Sequence, residues 1–127
     1  MVRLMTWVCG SPRATWCGLF AVTASVFLLT SHWEARALVV QEAMQVGVPV
    51  VATATGGIPE LVEDSAVLAF PGDADGLADG VRAILAEPGT ANAMRTRGRE
   101  LAARWPDEDA VAKNLLDLYA GLVATSA

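Results

Sequence analysis

The 127-residue sequence has little of what marks several large classes of protein. It holds two cysteines, Cys9 and Cys17, too few for a disulfide framework and wrongly spaced for a CxxC pair, so a reducing, cytoplasmic setting is expected. His32 is the sole histidine and reads first as a structural or surface residue. No cluster of His, Cys, Asp and Glu has metal-ligand spacing, and no metal is expected. Nine Lys and Arg against fourteen Asp and Glu give a net charge of −5. A surface that tracks nucleic-acid phosphates needs a basic stripe, so no nucleic-acid partner is expected. Arg95, Arg97, Arg99 and Arg104 fall together late in the chain and read as a solvated helix face. A full GxGxxG is also missing, which argues against a dehydrogenase, and no redox cofactor is expected. There is no internal repeat, low-complexity tract or linker. What the chain does have is apolar mass: 54% hydrophobic and only 18% charged residues, the composition of one packed globular domain.

Residues 1–24 are atypical. WVCGSPRATWCGLF combines Gly, Pro, two Cys and two Trp without helical or strand period, and a truncated or frame-disturbed origin is the expectation for this segment. From Ala14 to Ser31 no charged residue occurs. That run is about eighteen residues, at the lower limit for crossing a bilayer, so a signal peptide, an anchor or a membrane-peripheral association stands beside the cytoplasmic reading. Its most apolar part, Val26-Phe27-Leu28-Leu29, reads equally well as a buried parallel strand.

Beyond it the order is regular. Ala37 to Val46 has good helix formers and stops at Gly47, a C′ residue. Val48 to Thr53 is a continuous apolar run of strand length, so strand, helix and strand make a βαβ unit with a right-handed crossover. Thr55-Gly56-Gly57 is a turn, Ile58 to Glu63 a short helix with Pro59 in its first turn, and Ala66 to Phe70 a third strand. From Asp73 the period becomes helical through Leu77, Val81, Ile84 and Leu85. Glu87-Pro88-Gly89 ends that helix, Thr90 caps the next, and Asp107 caps a last one after Trp105-Pro106. In the last helix Val111, Leu115, Leu118 and Leu122 form a stripe expected to pack on its own domain. The fold class is therefore α/β, a partial Rossmann-like parallel sheet of about three strands flanked by helices, with a helical C-terminal end.

The chemistry concentrates in Ser31 to Glu60. Glu34 and Glu42 are eight positions apart, about 80° around an ideal helix and ~12 Å along it, so they cannot share one small group on a single helix. A helix starting near Ala37 instead leaves Glu34 in the preceding loop and Glu42 in the second turn, which suits a ligand with separated hydroxyls. The free N–H groups near Ala37 and Leu38 would form an anion site between them. The plainer alternative makes Glu34 a first-turn acid favouring the helix dipole and Glu42 an exposed helix residue. Arg36 has two candidate partners, a phosphate or Glu34. Gly56-Gly57, taken alone, is only a turn after a strand.

Taken in order, the motifs are Ser31-x-x-Glu34, Leu38-Val39-Val40-Gln41-Glu42-Ala43-Met44, Gly47-Val48-Pro49-Val50-Val51-Ala52-Thr53 and Gly56-Gly57-Ile58-Pro59-Glu60-Leu61-Val62. This series resembles the C-terminal, donor-binding domain of the family-4 retaining glycosyltransferases of the GT-B fold. The likeness continues through Pro71-Gly72-Asp73, Leu77-Ala78 and Arg97-Gly98-Arg99, making residues 25–127 part of a nucleotide-sugar-binding domain. The resemblance implies an E-x7-E site for a UDP-, GDP- or similar sugar donor. In it Glu34 approaches the donor sugar as the catalytic-side acid, Glu42 binds the ribose hydroxyls, and the Ala37 and Leu38 amides lie near the pyrophosphate; Arg36, Gly56 and Gly57 are expected to be donor-binding beside them. The family's frequent Gly-Phe-Gly after the first acid is Ala35-Arg36-Ala37 here, which bears on donor choice. The acceptor-binding N-terminal half and the Arg/Lys pair for the diphosphate are expected to be missing, leaving a fragment inactive alone that acts on an unknown acceptor. The rival from another class is a non-catalytic nucleotide-binding or protein-interaction module.

Overall fold

A computed structural model describes residues 4–6 and 24–125. Four parallel strands lie in sequence order: β1 Leu4–Thr6, β2 Val26–Leu29, β3 Val50–Thr53 and β4 Val67–Ala69. Phe27 pairs with Val50 and Leu29 with Ala52, while Val51 pairs with Val67 and Thr53 with Ala69. Among the described residues there are five helices, α1 Leu38–Gln45 between β2 and β3, α2 Ile58–Val62 between β3 and β4, and after β4 α3 Ala74–Ala86, α4 Pro88–Ala102 and α5 Glu108–Thr125. The α/β class and the open parallel sheet flanked by helices are as expected. The expected sheet of about three strands is present as β2, β3 and β4, and β1 extends it, Leu4 to Thr6 pairing with Val26 to Leu28. The first half of the uncharged run, with Cys17, and the preceding Cys9 and Arg13 lie outside the described residues. Its second half forms β2, whose Val26 and Phe27 are buried. Among the described residues no helix is long and apolar enough to cross a membrane.

Alternation along β2 and β3 sorts the core into two layers. Phe27, Leu29, Val50 and Ala52 face one way and pack with Val40, Ala43 and Met44 of α1 and Ile58, Leu61 and Val62 of α2. Val26 and Val51 face the other way, against Leu77 and Ile84 of α3 and Ala91 and Met94 of α4. Sheets covered on both faces select uninterrupted apolar strands, and Val50 to Thr53 is buried at every position. Full burial of side chains such as Phe27, Met44 and Ile58 stabilises the fold by about 1.5–3 kcal/mol each. Helix α4 joins the layers, packing against both α1 and α3; its Leu101 reaches the first cluster. The exposed Arg99 guanidinium donates to the Val46 carbonyl at 3.1 Å, Arg95 to Asn92 at 3.1 Å and Arg104 to Glu63 at 2.9 Å.

Several helix ends follow the local rules. Gly47 takes φ 77° past the end of α1, Asp73 accepts from the Gly76 amide at 2.8 Å, and Asp107 accepts from the Ala110 amide at 2.8 Å. Two expectations do not hold. Thr90 is not a cap: α4 begins at Pro88, because proline at the first helical position costs no hydrogen bond and has its φ already set. The α5 stripe does not pack on its own domain, since Val111 is 50% and Leu118 58% exposed. Trp105 packs against the core, but α4 has already ended at Ala102, and every described side chain from Val111 to Ala124 is exposed. Leu115→Asp should therefore leave unfolding free energy within about 0.5 kcal/mol of the parent. A loss of several times that on chemical denaturation would show the stripe to be part of the core.

Candidate functional site

The carboxyl ends of β2 and β3 run into two loops that lie against each other, 30–37 before α1 and 54–57 before α2. In open α/β sheets this edge is where ligands bind. Helix α1 starts at Leu38, with Ala37 as its N-cap residue in an extended conformation (φ −76°, ψ 90°). Alanine offers no side-chain acceptor, and the first turn holds no acid. The Val40 and Gln41 amides reach the Ala37 carbonyl at 3.0 and 3.3 Å, whereas those of Leu38 and Val39 find no backbone acceptor among the described residues. A helix N-terminus with uncapped amides carries partial positive charge and favours an anion. Glu34 thus lies in the loop, not in the first turn, which sets aside its plainer reading as a dipole-favouring helix acid.

Glu34 is half-buried, and its Oε1 accepts from the Ser31 hydroxyl at 2.7 Å. Its backbone is held as well, its carbonyl accepting from the Gly57 amide at 2.9 Å. Glu42 is exposed on the second turn of α1, about 6 Å along the axis from Leu38. The two acids therefore flank the uncapped N-terminus from different elements. Ala37 is buried at 3% exposure, so only its backbone is available to a ligand, while Leu38 is exposed.

Of the two partners expected for Arg36, Glu34 is not paired with it; within the protein its partner is Gln41. With the Gln41 amide oriented to satisfy its neighbours, the Gln41 oxygen accepts from Arg36 Nε at 2.6 Å and from a terminal guanidinium nitrogen at 3.1 Å. No ion pair joins Arg36 to Glu34 among the described residues. The position of the helix start accounts for the pairing: Gln41 stands on the first turn of α1, beside the guanidinium, while one oxygen of the Glu34 carboxylate is held by Ser31. Arg36 also lines an open cleft of about 370 Å³ with Ala35, Gly57, Glu60 and Trp105.

Gly56 and Gly57 pack under the acidic loop. A Cβ on Gly56 would sit 1.7 Å from the Glu34 carbonyl oxygen, and one on Gly57 would sit 2.3 Å from the Ala35 carbonyl oxygen. Their contact with the neighbouring loop backbone is therefore direct. Sequence reasoning left three hydroxyls without a role. Thr53, 2% exposed, donates to the Ser31 carbonyl at 2.5 Å; Thr55 donates to the His32 carbonyl at 2.8 Å; and Ser31 holds Glu34. The Ser31-x-x-Glu34 spacing, that of a capping box, was the available signal. A second cleft of about 270 Å³ opens beside this network between His32, Thr53 and Gly72. No three His, Cys, Asp or Glu residues gather as a metal ion would need among the described residues.

This fold and loop arrangement match a known family. The chain belongs to the group 1 glycosyl transferases, whose sequence model matches residues 19–101. It is 36% identical over 104 residues to alpha-maltose-1-phosphate synthase of Mycobacterium tuberculosis, covering 76% of this chain and 27% of that protein. Among solved structures, sucrose-phosphate synthase from Thermosynechococcus elongatus superposes with a TM-score of 0.78 at 33% identity, over 87% of this chain and 28% of that one. Anabaena HepE in complex with UDP-glucose shares the fold, with a TM-score of 0.74 at 24% identity over 80% of this chain and 29% of that one. The chain thus spans about a quarter of the length of the relatives it matches, 27% for the mycobacterial enzyme.

Proposed function

We propose that residues 25–127 form part of the C-terminal, nucleotide-sugar-binding domain of a family-4 retaining glycosyltransferase. The observation that carries this reading is the start of α1, which has neither a side-chain cap nor an acid in its first turn and is flanked by Glu34 and Glu42. On this reading the donor diphosphate lies at the Leu38 and Val39 amides and the backbone of Ala37, where the helix charge stabilises both the bound donor and the leaving nucleotide diphosphate. Glu42 accepts from the ribose hydroxyls, and Glu34 accepts from hydroxyls of the donor sugar and sits nearest the bond that breaks. Gly56 and Gly57 act from beneath by letting the two loops meet. Arg36 reaches the phosphates only after releasing Gln41.

The acceptor-binding half and the basic pair at the diphosphate come, in this proposal, from outside the 127 residues. The chain alone then binds donor nucleotide without transferring sugar. Calorimetric titration with UDP and GDP, alongside a donor-consumption assay with the matching sugar nucleotides, tests both parts. Saturable binding of one nucleotide with no sugar release is expected. Multiple-turnover transfer by the purified chain would contradict its inactivity, and absence of binding to either nucleotide would remove the donor-site reading. That last outcome favours the second reading, a protein-interaction module, for which the exposed apolar face of α5 is the specific support.

A further inference from the structure

We propose that Ser31 is a positioning residue for Glu34, and that Thr53 and Thr55 fix the loop so that Glu34 presents its second oxygen, Oε2, to the donor sugar. The inference rests on the reading of Glu34 as the sugar-side acid and adds how that acid is aimed. A glutamate at the edge of a loop has three rotatable side-chain bonds and a mobile backbone, so its carboxylate would sample many positions. Here both freedoms are restricted. The Ser31 hydroxyl holds Oε1 at 2.7 Å, leaving Oε2 without a protein donor among the described residues.

The backbone is held from β3 and the turn after it. Three carbonyls of the loop each receive a hydrogen bond: Ser31 from the Thr53 hydroxyl at 2.5 Å, His32 from the Thr55 hydroxyl at 2.8 Å, and Glu34 from the Gly57 amide at 2.9 Å. Thr53 lies within the sheet at 2% exposure, so its hydroxyl has a rigid base. The chain of contacts runs from strand to carbonyl to serine to carboxylate. An acid already held in its working position makes its ligand bond with less loss of freedom, the general advantage of a pre-organised site.

Ser31 should matter only when a sugar is attached to the nucleotide. The test is calorimetric titration of the 127-residue chain and its S31A, S31T, E34A and S31A/E34A variants with two pairs, UDP and UDP-glucose, and GDP and GDP-mannose. For the pair that binds, S31A is expected to weaken sugar-nucleotide binding about 3–10-fold while leaving the free nucleotide within twofold. S31T, which keeps the hydroxyl, is expected to restore it, and S31A should have no further effect once Glu34 is alanine. Equal weakening of nucleotide and sugar nucleotide, or an undiminished S31A effect in the E34A background, would assign Ser31 a general structural role and overturn the proposal. So would an S31A affinity equal to the parent's. Binding of the sugar nucleotide that ignores E34A would overturn the role of Glu34 itself, and no binding by the parent chain would overturn the donor site as a whole.

Discussion

Gly56→Ala should cost about 3 kcal/mol of folding stability and lower the melting temperature by roughly 10–20 °C. Two causes add. Gly56 has φ 53°, a left-handed conformation that carries a penalty for any residue with a Cβ. The new methyl would also lie 1.7 Å from the carbonyl oxygen of Glu34, a backbone atom that cannot swing aside like the end of a long side chain. The loop that carries Glu34 must then lift from the turn, losing the bond from the Gly57 amide. Two further variants separate the causes. Gly72→Ala meets the left-handed penalty alone, since Gly72 has φ 91° and its Cβ would contact nothing within 4 Å, so about 1 kcal/mol is expected. Gly57→Ala meets the clash alone, because its φ of −85° is ordinary while its Cβ would sit 2.3 Å from the Ala35 carbonyl oxygen. Thermal unfolding of the three variants should rank Gly56 worst and Gly72 mildest. Equal losses at Gly56 and Gly72 would mean that the two loops are not in contact.

Much of the fold was legible because its signals were local or periodic. Val48 to Thr53 is apolar at nearly every position, as a strand buried on both faces must be, and Gly47, Asp73 and Asp107 mark helix ends through their own backbone or side-chain chemistry. The features that were not legible depend on what lies across space. Leu4 to Thr6 is a strand through its pairing with β2, and nothing in its own short stretch carries a period. The α5 stripe establishes an amphipathic helix, but periodicity says only that one face is apolar and not what that face meets. For the site, the two acids and the helix start between them could be placed from spacing. The Ser31-x-x-Glu34 spacing pointed to one bond, but the partners of Thr53 and Thr55 could not be placed, because a threonine at the end of a strand has many possible acceptors, and only the packing of one loop on another selects them. Arg36 shows the same limit: its partner within the protein depends on where the first turn of α1 puts Gln41.

Glu42→Ala should weaken binding of the free nucleoside diphosphate about 10–100-fold, the loss of one or two hydrogen bonds to a charged acceptor at about 1.5–3 kcal/mol. Because the ribose belongs to the nucleotide and not to the transferred sugar, the loss should be the same for UDP and UDP-glucose, or for GDP and GDP-mannose. Glu34→Ala should instead leave the free nucleotide nearly unaffected and weaken only the sugar nucleotide. The contrast follows from the proposed roles, with Glu42 on the second turn of α1 at the ribose and Glu34 in the loop before that helix at the sugar. Stability should not confuse the measurement at Glu42: its side chain is exposed and holds no hydrogen bond or ion pair among the described residues, so its removal should change unfolding free energy by less than about 0.5 kcal/mol. Glu42→Gln should lie between alanine and the parent, because an amide oxygen still accepts but carries no charge. Nucleotide affinity within twofold of the parent in Glu42→Ala would exclude a ribose contact there. The uncapped start of α1 would then have to hold the diphosphate without that acid.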